Sequence, residues 1–194
     1  MALHKLSLPV NSQQVENLQI GDTVYLTGTV YTARDMAHLE IKQLLEVGAS
    51  LPVELAGRAV FHAGPVVRKT DDGWELVVIG PTTSIRMEPY AQMAGELGVK
   101  LIIGKGGMAK DSREMFKKHK QAYLQAAPGC AVQLAGGVKK IDNVYWLENG
   151  MPEAMWVLET EEFGPFIVTM DAYGNSRYDD VKQTATQRIK EIYG

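Results

Sequence analysis

Cysteine is nearly absent from this chain: Cys130 is the only one among 194 residues. A single thiol cannot build a disulfide framework. It also cannot hold an iron–sulfur cluster, which is usually bound by three or four thiolates. If the chain works with such a cluster, another polypeptide must carry it.

Long apolar runs and an excess of one charge are also missing. No run approaches the roughly 20 apolar residues that a membrane-spanning helix needs, and residues 1–10 lack the apolar stretch of a signal peptide. The net charge of −3 gives no electrostatic reason to expect nucleic acid or an anionic membrane as a partner. Zinc-ligand spacing and the GxSxG nucleophile motif are absent too. These absences favour a cytoplasmic protein with neither kind of partner.

The composition that remains is typical of a globular domain, with 45% hydrophobic and 22% charged residues. The β-branched run at residues 23–32 predicts a strand, and residues 34–47 repeat apolar side chains at helical spacing. Two apolar runs flank Asp71-Asp72-Gly73, which predicts a hairpin turn. We therefore expect a single layered α/β domain over residues 21–194. Residues 1–20 carry little signal and are expected to form an N-terminal arm against a partner.

Three segments place cations or hydroxyl groups at the ends of predicted strands, where layered α/β proteins usually build sites. In the first, TARDMAH at residues 32–38, Arg34 stands at a strand-to-helix junction. A guanidinium there can clamp a carboxylate with two parallel hydrogen bonds. His38 would follow one helical turn later on the same side. The alternative is an exposed arginine beside a histidine on a helix face.

The second segment, GPTTSIRM at residues 80–87, carries three consecutive hydroxyl groups. Arg86 follows Thr82 by four residues, so an anion-binding turn with exposed backbone N–H groups is one interpretation. The other is a helix cap in which Thr83 or Ser84 is the capping residue.

The third segment is IGKGGM at residues 103–108. Glycines on both sides of Lys105 would let the backbone approach a ligand closely, and the ammonium group suits a carboxylate or a phosphate. The spacing is not that of a P-loop. The alternative is a tight turn with an incidental lysine.

These segments, together with HAGP at residues 62–65, resemble the beta subunit or C-terminal domain of class I fumarate hydratases and L-tartrate dehydratases. The resemblance covers about residues 21–178. It implies a swivelling β/β/α domain and a partner alpha subunit that carries a [4Fe-4S] cluster on three cysteines. The open iron of that cluster would act as a Lewis acid on the substrate's hydroxyl group. No cluster would be bound by this chain alone.

The resemblance also implies roles for particular residues. Arg34, Arg86 and Lys105 would bind a small dicarboxylate substrate, and Thr82 would act as the base for its carbon-bound proton. We therefore expect the beta subunit of a hydro-lyase that hydrates fumarate reversibly to malate, active only as a hetero-oligomer. An L-tartrate dehydratase beta subunit and a stand-alone small-anion binding domain are the alternatives.

The scarcity of cysteine generates a first prediction. The chain purified alone should be folded, colourless and inactive, because Cys130 is its only thiol. After anaerobic reconstitution with iron and sulfide, no stable broad absorbance at about 400 nm, where iron–sulfur clusters absorb, should remain. The Cys130→Ala variant is the control and should give the same spectrum. A stable, stoichiometric cluster on the isolated parent chain would contradict the two-subunit interpretation.

Overall fold

The computed structural model describes residues 1–71 and 73–193. Its strands are Leu3–Ser7 (β1), Thr23–Thr32 (β2), Ala59–Phe61 (β3), Ala63–Thr70 (β4), Gly73–Pro81 (β5), Leu101–Gly104 (β6), Ala122–Gln125 (β7), Val138–Tyr145 (β8) and Met155–Met170 (β9). Its α-helices are Ser12–Glu16 (α1), Asp35–Glu46 (α2), Ala91–Glu96 (α3), Lys110–His119 (α4), Ala131–Ala135 (α5) and Arg177–Tyr193 (α6), and 3-10 helices span Ser84–Tyr90 and Leu147–Asn149. The strand expected at residues 23–32 is confirmed as β2, and the helix expected at 34–47 as α2.

Within the described residues, seven strands form one sheet in the order β1-β2-β3-β6-β7-β9-β8. The first five of these run parallel to their neighbours, whereas β9 runs antiparallel to β7 and β8. The 16-residue strand β9 also pairs antiparallel with β2. These pairings close β2, β3, β6, β7 and β9 into a ring.

The predicted hairpin forms a second, two-stranded sheet. Strands β4 and β5 pair antiparallel, from Ala63 opposite Pro81 to Thr70 opposite Gly73. Asp72, in the middle of the predicted turn, lies outside the described residues, as does Gly194 at the end of the predicted domain.

Successive side chains of the short parallel strands point to opposite faces of the sheet and so divide the core into two parts. Val60, Ile102 and Tyr123 pack with residues of α2, α3 and α4 on one side of the sheet. The residues next to them in sequence, such as Phe61 and Leu101, pack on the opposite side with β9, the β4–β5 hairpin and α5. Successive side chains of a strand point to opposite faces, so strands buried on both faces read as continuous apolar runs. The chain is thus a single α/β domain with α2, α3 and α4 on one side of the parallel strands, and the antiparallel strands with α1 and α5 on the other.

Residues 1–20 lie within this domain, although the sequence led us to expect a separate arm. Strand β1 pairs in parallel with the first half of β2, from Leu3 opposite Thr23 to Ser7 opposite Thr27. Leu8, Val10, Val15 and Leu18 are buried in the core. The expectation failed because the buried residues are too few and irregularly spaced to show a period. Helix α6 is the opposite case, since none of its residues is buried.

This contrast generates a second prediction. A chain that starts at residue 21 should lose cooperative unfolding, because it removes four buried side chains and uncovers the edge of β2. Each such side chain contributes about 1.5–3 kcal/mol when fully buried. The control chain ends at residue 181, lacks most of α6 and should show little change in the urea midpoint, because no residue of that helix is buried. Equal stability of the two truncated chains would contradict the assignment of residues 1–20 to the core.

Candidate functional site

The residues singled out from the sequence lie directly after the carboxyl ends of strands. Arg34 follows β2, His62 follows β3, Thr82 follows β5 and Lys105 follows β6. Because β2, β3 and β6 are adjacent and parallel, their carboxyl ends meet at one edge of the sheet. The carboxyl ends of parallel strands are where layered α/β proteins usually bind their ligands.

The segments that contain Thr82 and Lys105 are joined by backbone hydrogen bonds. The Lys105 N–H donates to the Thr82 carbonyl at 3.3 Å, and the Ser84 N–H donates to the Lys105 carbonyl at 3.1 Å. Thr83 and Lys105 form an isolated parallel β-bridge. On the other side, the Thr82 N–H donates to the His62 carbonyl at 2.7 Å. The GPTTSIRM and IGKGGM segments are therefore neighbours in space, as a shared site requires.

Arg86 lies in the 3-10 helix that follows Thr82. Its Nε and Nη2 atoms donate to the two carboxylate oxygens of Asp35, at 3.2 and 2.8 Å. The same Nη2 donates to Thr82 Oγ1 at 3.3 Å. Burial disfavours the charged form of Asp35, but the hydrogen bonds and charge of Arg86 outweigh it and lower the pKa of that carboxyl group. Asp35 thus stays ionised and fixes the guanidinium beside the Thr82 hydroxyl.

Arg34 is also held by a carboxylate. Its Nη2 lies 3.0 Å from Glu153 Oε1, and the other oxygen of Glu153 accepts the Met36 N–H at 3.1 Å. A Cβ added to Gly64 would stand 2.8 Å from Arg34 Nη1, so glycine is needed for this close approach. The Arg34 Nε is buried and has no hydrogen-bond partner among the described residues.

Lys105 lies on a turn in which the positions beside it must be glycine. Gly106 and Gly107 have φ values of 83° and 72°, in the left-handed region that favours glycine. A Cβ on Gly104 would lie 1.9 Å from Ser84 Oγ. Across residues 1–71 and 73–193, no carboxylate forms an ion pair with the Lys105 ammonium. Arg34 and Arg86, in contrast, each form an ion pair with a carboxylate.

A buried polar network supports the turn from below. Tyr123 Oη donates to Ser84 Oγ at 2.8 Å, and Ser84 Oγ lies 2.9 Å from His62 Nδ1. All three residues are buried. Ser84 therefore anchors the turn through its hydroxyl, whereas Thr83, the other candidate cap, makes no capping hydrogen bond with its side chain. Thr83 stands at the cap position of the 3-10 helix, but neither hydroxyl makes the capping hydrogen bond that the cap interpretation expects. The anion-binding interpretation stays a prediction.

His38 lies next to Arg34, as the helical spacing predicted. Its Nδ1 donates to the Arg34 carbonyl oxygen at 2.8 Å, and its ring stacks on Tyr90 with the centroids 5.1 Å apart. The His62 ring is its other neighbour, at 5.4 Å. Burial lowers the pKa of His38. Burial above all, and then the neighbouring His38 ring and the charge of Arg86, lower the pKa of His62 well below its usual value. Both imidazoles are therefore neutral, and they pack beneath the charged residues of the site.

Sequence reasoning missed the two carboxylates. Asp35 follows Arg34 directly and could have been found from its place in TARDMAH. Glu153 lies in the segment before β9 and has no motif around it. Its role depends on tertiary packing alone.

The donor groups of this chain do not fit an iron–sulfur cluster. Among the residues that the structure describes, no three His, Cys, Asp or Glu side chains are grouped to hold a metal ion. The Cys130 thiol donates to the Ala127 carbonyl at 2.6 Å, and burial raises the pKa of that thiol. Burial therefore disfavours the thiolate that a cluster needs. That a partner carries the cluster stays a prediction.

None of the helices within residues 1–71 and 73–193 is both long enough and apolar enough to cross a membrane.

Comparison with known proteins agrees with the geometry. A family model described as Fumarase C-terminus matches residues 2–181. The L(+)-tartrate dehydratase subunit beta of Escherichia coli K12 is 42% identical over 188 residues, which are 96% of this chain and 92% of that protein. A Methanocaldococcus jannaschii protein provisionally given the same name is 44% identical, over 95% of this chain and 96% of that protein. A Geobacillus stearothermophilus protein provisionally named class I fumarate hydratase is 38% identical, over 96% of this chain but 36% of that protein.

The buried histidines generate a third prediction. In the unfolded chain, a histidine takes up a proton at about pH 6.5, whereas the lowered pKa keeps native His38 and His62 neutral there. The unfolded state then binds more protons, so the free energy of unfolding is at its plateau above about pH 6.5 and falls as the pH drops below it. Each histidine contributes a slope of up to about 1.4 kcal/mol per pH unit.

Urea unfolding between about pH 7.5 and 5 measures this slope above the range where carboxylates titrate. The His62→Gln variant should be less stable at every pH, but it should show a shallower decline. A slope equal to that of the parent chain would contradict the assignment of His62 as a neutral buried group.

Proposed function

Because this chain belongs to the fumarase C-terminus family, we propose that it is the beta subunit of an iron–sulfur-dependent hydro-lyase. Its reaction is the reversible hydration of fumarate to malate. The observation that carries the proposal is the cluster of Arg34, Arg86, Lys105 and the Thr82 hydroxyl at one edge of the sheet. Such a group suits a small molecule with two carboxylates and a proton to be moved.

The cations bind the substrate in this proposal. Arg34 and Arg86 each keep N–H groups beyond those used by Glu153 and Asp35, since a guanidinium has five. Lys105 offers a compact positive charge that no described carboxylate neutralises. Three cations against two carboxylates of the chain leave a net positive charge at the site. That sign attracts a dicarboxylate.

Thr82 handles the carbon-bound proton of the substrate. An unperturbed hydroxyl is a very weak base, and a positive charge and a hydrogen bond to the oxygen favour its ionised form. Arg86 Nη2 supplies both, at 3.3 Å from Thr82 Oγ1. In the direction from malate to fumarate, Thr82 Oγ1 would take the proton from carbon, and in the direction of hydration it would return it.

The other half of the site belongs to the partner. We propose a cluster-bearing alpha subunit and a hetero-oligomer, because the donors of this chain do not fit a cluster and its relatives are named as beta subunits. Such a cluster supplies a Lewis acid for the substrate's hydroxyl group. The cytoplasmic location expected from the sequence, without membrane or nucleic acid as partner, is part of this proposal.

L-tartrate is the second candidate substrate, and the comparisons favour it in one respect. The two relatives named for tartrate dehydratase are 42% and 44% identical and match this chain over nearly their whole length. The relative named for fumarate hydratase is 38% identical, and this chain matches only 36% of it. Tartrate carries one more hydroxyl group than malate, so a site built to hydrogen-bond that group should reject malate strongly.

Co-expression with a candidate alpha subunit under anaerobic conditions separates the candidates. The purified complex is assayed with fumarate, malate and L-tartrate. Preferential turnover of fumarate and malate supports the first proposal, and preferential turnover of L-tartrate supports the second. A chain that binds succinate alone but assembles with no cluster-bearing subunit would instead be a stand-alone anion-binding domain.

The separate roles proposed for Thr82 in proton transfer and for Lys105 in substrate binding generate a fourth prediction. In the assembled enzyme, Thr82→Val keeps the shape of the side chain and removes the hydroxyl, so kcat should fall by about 10²–10⁴ with KM little changed. Replacing Lys105 with methionine should instead raise KM, because a cation that binds ground state and transition state alike is lost. Removing a cation from a desolvated carboxylate costs about 2–5 kcal/mol.

Thr83→Val is the matched control for Thr82→Val, because it makes the same change one residue further on, at a side chain without a capping bond. It should leave kcat nearly unchanged. Exchange of the carbon-bound proton in deuterated water measures the step directly. If Thr82→Val exchanges that proton as fast as the parent enzyme, a group on the partner subunit must be the base.

A further inference from the structure

The Asp35 carboxylate occupies one complete edge of the Arg86 guanidinium. Asp35 Oδ1 accepts from Nε at 3.2 Å, and Oδ2 accepts from Nη2 at 2.8 Å. The two side chains are 42% and 43% exposed, so the pair faces the open side of the site rather than the core. Asp35 is the first residue of α2, and Arg86 belongs to the 3-10 helix. The contact therefore joins two separate elements.

This contact limits how Arg86 can meet a substrate. Of its five N–H groups, two point to Asp35 and one points to Thr82 Oγ1. Only the two N–H groups of Nη1 have no use in these contacts. A substrate carboxylate must then bind at the Nη1 end of the guanidinium, the end away from Nε. Because Nη2 stays on Thr82, a substrate bound there lies beside the hydroxyl that the reaction uses.

We propose that Asp35 is a positioning residue of the hydro-lyase, which orients Arg86 so that one end of its guanidinium receives the substrate while Nη2 remains on Thr82. This inference rests on the proposed function of the same site. Asp35 touches neither the substrate nor the reacting atoms, and it acts through Arg86. Stability is a poor explanation for the pair, because exposed ion pairs contribute little to folding.

A second pair in the same chain provides a matched control. Arg68 donates to Glu75 through Nε at 3.2 Å and through Nη2 at 2.6 Å, on the exposed β4–β5 hairpin. Its side chains are 66% and 51% exposed, and neither residue belongs to the site. Both donors meet the single oxygen Oε2 of Glu75. Glu75→Gln therefore removes one negative charge from an exposed arginine that uses the same two donor atoms as Arg86, without touching Thr82 or Arg86.

The first test compares Asp35→Asn with Glu75→Gln in the assembled enzyme. Asp35→Asn keeps the size of the side chain but removes its negative charge and leaves one acceptor oxygen where Arg86 now meets two. With Arg86 misplaced, kcat should fall by about 10–100-fold, the scale of an error of about 1 Å in the position of a catalytic group. KM should stay level or decrease, since the site gains one positive charge. Asp35→Glu, which restores a two-oxygen acceptor, should recover part of kcat, and Glu75→Gln should match the parent enzyme.

The second test uses the full chain without its partner and does not depend on activity. In the parent, the Arg86 Nε–H signal, identified in nitrogen-15 NMR spectra by its loss in Arg86→Lys, should exchange slowly with water. In Asp35→Asn it should exchange at least several-fold faster, with the melting temperature nearly unchanged. Equal exchange in both chains, or an unchanged kcat in Asp35→Asn, would overturn the inference. Slow exchange in the parent with no turnover of any four-carbon diacid would contradict the proposed function alone.

Discussion

The backbone pairing between residues 82–84 and Lys105 is the contact on which the rest of the site depends. It exists only because Gly104 has no side chain, since a Cβ there would lie 1.9 Å from Ser84 Oγ. Ser84 can then enter the core and meet His62 and Tyr123. Once that hydroxyl is anchored, Thr82 and Arg86 are held next to the turn that carries Lys105. A buried neutral network thus fixes the position of exposed charged groups, which would otherwise move freely with their long side chains.

Carboxylates of the chain moderate the charge that these groups create. Three cations gathered at one sheet edge repel one another, and an arginine without a fixed partner can adopt many rotamers. Glu153 and Asp35 reduce the repulsion and restrict Arg34 and Arg86, while Lys105 has no such described partner. The arginines are therefore ordered before a substrate arrives. Less conformational entropy remains to be lost on binding, which is the physical content of preorganisation.

Local patterns in the sequence were sufficient for part of this structure. The strand at residues 23–32, the helix near residues 34–47 and the hairpin follow from β-branched residues, helical spacing and a turn signal. The position of Arg34, Thr82 and Lys105 after strands follows from the same patterns. What could not be predicted depends on distant contacts. Glu153 reaches Arg34 across more than a hundred residues of sequence, and the burial of residues 1–20 depends on their pairing with β2.

Strand β9 has a consequence for how the molecule is made. It closes the ring by pairing with β2, for example Thr23 opposite Ile167 and Val30 opposite Leu158. Contacts between residues so far apart in sequence form late, because the loop-closure entropy must be lost before they stabilise anything. During synthesis, all the candidate site residues leave the ribosome well before their scaffold can close. An unfinished chain would leave the edges of β2 and β7 unpaired, so a chaperone has more reason to bind it then than at any later time.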